Sequence, residues 1–130
     1  MVELDQFKSV LATYTEPLAE VKDSLDLANK EQRVEELERE MEAPDFWDNA
    51  EVSQKKMKEL SSLKEDMETY KNLVTQMEDM ETMIEMGYEE NDPELIPEIQ
   101  EMLEQFQQDF DNIRVKTLLS GEYDSENAII

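Results

Sequence analysis

Carboxylates are the main side chains in this sequence that could do chemistry. The 130 residues include 35 Asp and Glu against 12 Lys and Arg, and they contain no His and no Cys. Thiol and imidazole catalysis, disulfides and zinc sites of the usual kind are therefore excluded. The only glycines are Gly87 and Gly121, which excludes a glycine-rich phosphate loop. We expect no catalytic residue, no cofactor site and no enzymatic activity in this chain.

Two acidic clusters are the candidates for holding a cation. Glu35 and Glu36 are adjacent, and residues 89–92 read Glu-Glu-Asn-Asp. A calcium loop needs ligands at alternating positions around a central Gly, and neither cluster has that pattern. We interpret these carboxylates as solvated charge and expect no metal site.

The formal net charge of −23 restricts the class of partner. Binding to nucleic acid through its phosphates is built on Lys and Arg, so we do not expect binding to DNA. A basic protein is the better partner for so acidic a surface. Lys55, Lys56 and Lys58 form a local exception, and we take them as candidate contacts to a partner.

The scarcity of turn-forming residues favours helices. Gly occurs twice, Pro four times, and 38% of the residues are apolar. No apolar run reaches the length of a membrane span and the start lacks a secretory signal pattern, so we expect a cytoplasmic protein. The predicted fold is all-α, an elongated antiparallel helical bundle or coiled coil of four helical segments.

Apolar residues spaced alternately by three and four predict the first two helices, at about residues 3–26 and 27–42. The apolar seams of these helices comprise Leu4, Phe7, Leu11, Tyr14, Leu18, Val21 and Leu25, then Leu27, Val34, Leu37 and Met41. Pro17 predicts a kink near residues 15–17, because Pro removes a backbone N–H. The second helix should stop before Pro44, since the residue preceding a Pro is pushed out of the helical region.

A long third helix is predicted at about residues 49–86. Asp48 and Glu51 have the spacing of a capping box, and Gly87 offers a left-handed cap at the end. The predicted seam comprises Leu60, Leu63, Met67, Tyr70, Val74, Met77 and Ile84. Three methionines lie partly off this seam, namely Met80, Met83 and Met86. They could fill the core or form an adaptable binding surface.

The fourth helix is predicted at about residues 93–119. Asp92 is an N-cap candidate and Pro93 follows at the first helical position. Pro97 either bends the first turns or marks the true start. The predicted seam comprises Ile96, Ile99, Leu103, Phe106, Phe110 and Ile113.

Residues 120–130 break the helical period and finish on an apolar run. We interpret them as a junction and the first strand of a further domain, cut off before its sheet. Residues 1–119 would then form the helical amino-terminal domain.

A tight corner is predicted between the second and third helices. It contains Phe46 and the single Trp of the chain, Trp47. We interpret the two aromatic side chains as a hydrophobic plug where the helices turn. An aromatic side chain that binds a ligand is the alternative.

Two motifs go beyond a generic helical bundle. Residues 37–48 read LEREMEAPDFWD and residues 119–128 read LSGEYDSENA. Together they resemble the amino-terminal domain of bacterial class I peptide chain release factors, in particular the type 2 family. The matching positions are Pro44, Asp45 and Trp47 of a Pro-Asp-x-Trp corner, and the Ser-Gly-Glu-Tyr-Asp run at residues 120–124.

The resemblance implies a role in translation termination. In the family, the Gly-Gly-Gln motif for peptidyl-tRNA hydrolysis and the Ser-Pro-Phe motif tied to stop-codon choice lie downstream. This chain alone would neither read UGA and UAA nor release a peptide. The family's amino-terminal domain reaches toward the stalk base of the large ribosomal subunit, near a ribosomal protein and its RNA. It has also been associated with the GTPase release factor.

Two other interpretations stay open from the residues alone. One is a free-standing acidic coiled-coil adaptor or oligomerisation module. The other is a small protein that occupies the release-factor site as an inhibitor or rescue factor. The short linkers at residues 43–48 and 88–92 favour antiparallel neighbours within one chain, and so a monomer.

Overall fold

The computed structural model describes the backbone of residues 2–129 and the side chains of residues 2–116. Every regular element in that part of the chain is a helix, which confirms the all-α prediction. The elements are α1 (Val2–Ala12), α2 (Thr15–Leu25), α3 (Leu27–Glu42), a short 3-10 helix (Phe46–Asp48), α4 (Ala50–Glu90) and α5 (Leu95–Ile129). Among the described residues, no helix is long and apolar enough to cross a membrane.

The first predicted helix is divided into α1 and α2. The backbone turns at Thr13 and Tyr14, whose N–H groups donate to carbonyls of the preceding turn. Pro17 lies in the first turn of α2, where a missing N–H leaves no intrahelical hydrogen bond unmade. The break therefore lies just before the predicted kink, at a position that lets Pro17 begin a helix rather than interrupt one.

The break is fixed against α5 by an aromatic cluster. The ring of Tyr14 lies edge-on to Phe106 and Phe110, with ring centroids 5.0 and 5.1 Å away. Both phenylalanines are buried. Edge-to-face contacts of this kind add to the stability gained from burial alone, so the bend is part of the core.

Helices α3 and α4 form an antiparallel hairpin. The ion pairs that join them include Lys30–Asp66, Arg33–Glu59 and Glu40–Lys56. Residue numbers rise along α3 as they fall along α4, which defines the antiparallel direction. Beneath these pairs lies a small core of Val34, Leu37 and Leu60.

Helix α4 is long enough to belong to two cores. Its 41 residues at 1.5 Å each make a rod of about 60 Å. The first half packs on α3, and the second half packs on α1, α2 and α5. The most deeply buried side chains of this second, larger core are Leu4, Leu73, Met80, Ile99, Phe106 and Phe110.

The end of α4 differs from the prediction because Gly87 is not a cap. Gly87 has no positive φ, and a Cβ at this position would lie 2.9 Å from Leu4 Cδ1. Glycine leaves room here for the close approach of the Leu4 side chain of α1. The left-handed residue that ends the helix is Asn91, with φ of 52°, four positions later.

The buried face of α4 also departs from the predicted heptad seam. Leu73 and Met80 are fully buried although neither belongs to that seam. Met83 packs at the edge of the larger core, whereas Met86 is 42% exposed. A straight helix drifts by about 20° per heptad against a strict seven-residue repeat, and α4 changes neighbours halfway along. The coiled-coil arrangement stays a prediction.

Helix α5 continues where a strand was predicted. It begins at Leu95 with Pro97 in its first turn and is helical through Ile129, while Ile130 lies outside the described residues. A helix satisfies its backbone groups internally, whereas a strand needs a neighbouring strand. Residues 2–129 contain no strand that could be that neighbour. The strand predicted at residues 120–130 is therefore wrong as far as Ile129.

Candidate functional site

The three candidate lysines occupy the beginning of α4 but do not act as one group. Lys55 and Lys58 are exposed and have no ion pair among the described side chains. Lys56 is half-buried, and its ammonium group donates to the Glu40 carboxylate across the hairpin. The structure thus leaves two lysines directed to solvent and uses the third to join α4 to α3.

The helical period explains this division. Ser53, Lys56 and Leu60 follow one another at spacings of three and four, so they share the face of α4 that packs on α3. Ser53 and Leu60 are buried on that face. Lys55 and Lys58 lie three positions apart and therefore share a different, outward face.

The corner between α3 and α4 exposes its tryptophan. Helix α3 ends at Glu42, and the following Ala43 is extended at φ −67° and ψ 135°, as expected before Pro44. Phe46 is half-buried and lies edge-on to Trp47, with ring centroids 4.8 Å apart. Trp47 itself is 53% exposed. The prediction of a two-residue hydrophobic plug is therefore wrong for Trp47, because the 3-10 turn leaves its ring more exposed than that of the adjacent Phe46.

The start of α4 is capped by Asn49 rather than by the predicted box. The Asn49 side chain accepts a hydrogen bond from the N–H of Val52 at 3.2 Å. Asp48 and Glu51 are exposed, and neither has a hydrogen bond or ion pair with another described side chain. Because a neutral amide caps the helix, both carboxylates stay available to a partner.

Residues 42–52 together form what we call the hairpin tip. This segment contains four acidic residues, namely Glu42, Asp45, Asp48 and Glu51, and no Lys or Arg. All four are exposed. Val52 is 44% exposed in the first turn of α4. The tip therefore combines negative charge with exposed apolar surface, next to the outward-facing Lys55 and Lys58.

A second polar centre, at Asp66, is structural. Its carboxylate accepts hydrogen bonds from Lys30 of α3 at 2.8 Å and from Lys116 of α5 at 2.9 Å. Burial alone would raise the pKa of Asp66, but the two ammonium groups outweigh it and the pKa is lowered. No sequence pattern marks this residue, because its partners lie 36 and 50 positions away.

The described region has several surface clefts. A cleft of about 360 Å³ between α4 and α5 lies at the lower end of the volume range of ligand pockets. Its polar groups bond to one another, as Gln76 does to Asp109 at 3.1 Å. Within residues 2–116 no buried side-chain nitrogen or oxygen lacks a partner, and no three acidic residues are grouped to hold a metal ion.

Comparison with known proteins gives one consistent family. Residues 30–130 match the model of the PCRF domain. The chain is 38% identical to peptide chain release factor 2 of an Exiguobacterium species and 34% identical to that of Staphylococcus saprophyticus, over 99% of its length in each case. It is 35% identical over its whole length to the Clostridium perfringens protein of the same name. The chain spans 35% of the length of each of these relatives. The chain therefore belongs to the PCRF domain family.

Proposed function

We propose that this chain acts in translation termination as the helical, ribosome-docking part of a peptide chain release factor of the UGA and UAA type. The observation that carries the proposal is the match of residues 30–130 to the PCRF domain, together with similarity over the whole chain to proteins named peptide chain release factor 2. The 130 residues contain no Gly-Gly-Gln sequence. In this proposal, docking belongs to the chain and peptide release belongs to other parts of a longer protein.

The surface proposed for docking lies at the α3–α4 end of the rod. It is directed at the stalk-base region of the large ribosomal subunit, where protein and RNA lie together, and the GTPase release factor is a further candidate partner. The exposed side chains of Lys55 and Lys58 support the proposal, because they are the local exception to a strongly acidic chain. Lys56 lies outside this surface, since its ammonium group pairs with Glu40.

Charge reversal tests this surface. Lys55→Glu combined with Lys58→Glu should lower the affinity for bacterial large ribosomal subunits by about tenfold at low salt, mainly by slowing association. Binding is measured by co-sedimentation and by stopped-flow fluorescence of the labelled chain. In a separate assay with programmed ribosomes, the chain alone should leave peptidyl-tRNA intact.

The matched control is Lys8→Glu combined with Lys22→Glu. These lysines are also exposed and have no ion pair among the described side chains, and they lie on α1 and α2. Both double variants have the same net charge, so a general repulsion from ribosomal RNA would weaken them equally. Equal affinities for the two variants would argue against docking through the start of α4.

A further inference from the structure

A groove bordered by lysines runs along one side of the α3–α4 hairpin, near the end of α2. Three exposed lysines form its rim, and three apolar side chains that are buried or partly buried form its floor. The rim consists of Lys22, Lys64 and Lys71, and the floor of Leu27, Val34 and Met67. We call this the lysine groove. Its volume is about 470 Å³, within the range of ligand sites.

The groove is open because the apolar stripe of α3 is interrupted. Leu27 packs on the larger core and Val34 belongs to the smaller one. Glu31 lies four positions after Leu27 and three before Val34, where the helical spacing calls for an apolar residue. Glu31 is exposed and lines the groove. The two cores therefore do not close over Met67, which stays only partly buried.

Helix α5 does not cover the groove. The side chains of α4 that face α5 include Asp66 and Leu73, whereas those that line the groove include Lys64 and Lys71. With 3.6 residues per turn, these two sets lie on different sides of α4. No residue of α1 or of the described part of α5 lines the groove.

The groove has a charge opposite to that of the chain. Three lysines and two glutamates line it, although the chain contains 35 acidic and 12 basic residues. Lys22 and Lys71 have no ion pair among the described side chains. Lys64 pairs with Glu38 at 3.1 Å, but both side chains are about half exposed, and such a pair contributes little stability. All three ammonium groups can therefore donate to the carboxylates of a partner.

The lining favours a protein helix over nucleic acid. The described residues around the groove include no aromatic side chain on which a base could stack. A nucleic acid strand that ran past the lysines would also meet a chain of net charge −23. The aliphatic floor suits apolar side chains, and the flexible thioether of Met67 can adapt to them. Lys64 and Lys71 are seven positions apart, so they border about 10 Å, or two turns, of a bound helix.

We propose that the lysine groove binds an acidic amphipathic helix of a partner protein. The apolar side chains of that helix contact Leu27 and Met67, and its carboxylates pair with Lys22, Lys64 and Lys71. This inference goes beyond the proposed function, because it requires no ribosome and does not involve the start of α4.

The test measures fluorescence anisotropy of a labelled synthetic peptide mixed with the whole chain. Isolated helices shorter than about 12–15 residues are marginal in water, so the probe has about 18 residues. It carries Leu at alternating spacings of three and four, with Glu on both sides of that stripe. A second peptide replaces every Glu by Lys, and a third replaces every Leu by Ser. A labelled single-stranded RNA tests nucleic acid. Only the peptide with Leu and Glu should bind.

The rim is tested by neutralising its unpaired lysines. Lys22→Gln combined with Lys71→Gln should weaken binding of the Leu-Glu peptide by about tenfold and flatten its dependence on salt concentration. The matched control is Lys55→Gln combined with Lys58→Gln, which changes the net charge equally at two exposed lysines outside the groove. This control should change the affinity by less than about twofold.

The floor and the acidic lining are tested separately. Met67→Gln should weaken binding by about fivefold, because it places a polar amide on the apolar floor. Met57→Gln alters an exposed methionine outside the groove and should have no effect. Glu68→Gln should tighten binding by about twofold, since it removes a like charge from the lining. Unfolding midpoints measured by circular dichroism check that all variants fold.

Four results would overturn the inference. Equal losses in the two double lysine variants would show that the peptide responds to net charge and not to the groove. Equal affinities for the peptides with Leu and with Ser would remove the role of the floor. Binding of the RNA that depends on Lys22 and Lys71 would make nucleic acid the occupant. Failure of the Leu-Glu peptide to bind would also end the inference, and it would leave the proposed function to its own test on ribosomal subunits.

Discussion

The ion pairs of this chain contribute unequally because their exposure differs. The side chain of Asp66 is 14% exposed and is bonded by two ammonium groups from two other helices. That of Glu59 is 42% exposed and pairs with one guanidinium group. Solvent and salt screen an exposed pair, so its net contribution is small, whereas removing one member of a buried group leaves charges uncompensated.

Asp66→Asn should therefore lower the free energy of unfolding at pH 7 by about 1–2 kcal/mol. The pKa of Asp66 is lower in the folded chain than the ordinary value of 3.8. Its contribution to stability is thus present above the unfolded pKa and is lost as the pH falls through the lower, folded value. Urea unfolding across the acid range should find the gap between wild type and variant closing below about pH 4.

Glu59→Gln serves as the comparison for this prediction. The pKa of Glu59 is also lowered, chiefly by the hydrogen bond from Arg33, but the pair lies in solvent. At pH 7 we expect Glu59→Gln to lower the free energy of unfolding by less than Asp66→Asn does. Losses of equal size in the two variants would contradict the ranking by exposure.

Single residues were predictable where the signal was local. The sequence identified the lysines at the start of α4 and the aromatic corner, because both are short runs of chain. It did not predict that Lys56 would turn toward Glu40, 16 positions away, or that Trp47 rather than Phe46 would remain exposed. These outcomes depend on how α3 packs against α4, and the corner motif does not contain that information.

At the scale of the elements, the close contact between α1 and α4 lies at Gly87, a residue without a side chain. Leu4 is fully buried, and its terminal methyl groups occupy the space that a Cβ on Gly87 would need. Glycine in a helix interior costs about 1 kcal/mol relative to alanine. The close packing of Leu4 offsets that cost.

Gly87→Ala should therefore destabilise the wild-type chain, by about 1–2 kcal/mol net of the gain in helix propensity. In a Leu4→Val background the same substitution should become stabilising, because valine lacks the two Cδ atoms that a Cβ on residue 87 would meet. The measurement is a double-mutant cycle from urea unfolding. The same sign in both backgrounds would mean that Leu4 is not the obstacle.

The elements themselves followed from the sequence to different degrees. Helix α3 has the predicted bounds, because Pro44 ends it and the apolar phase defines its face. The end of α4 was not predictable, because a glycine that ends a helix and a glycine that admits a neighbouring leucine look alike in one sequence. Leu73 was missed, and Met80 was left open between the core and a binding surface, because α4 turns different faces to its successive partners and a single heptad phase cannot describe both.

At the scale of the whole molecule, we propose a monomer on the basis of the packing and the net charge. The apolar seams of α1 to α4 and the described part of α5 meet within one chain, in the larger and the smaller core. The net charge of −23 adds repulsion between copies. We expect one sedimentation coefficient at two concentrations tenfold apart, at physiological salt. A coefficient that rises with concentration would favour the oligomerisation module instead.

The pairing of α1 with the far end of α4 also has a consequence for synthesis of the chain. Tyr88 donates a hydrogen bond to Asp5, and the two residues are 83 positions apart. At roughly 5–20 residues per second, the ribosome needs about 4–17 seconds to add the residues between them. During that interval the apolar side of α1 has no native neighbour on α4. The nascent chain must therefore keep α1 soluble until α4 is complete.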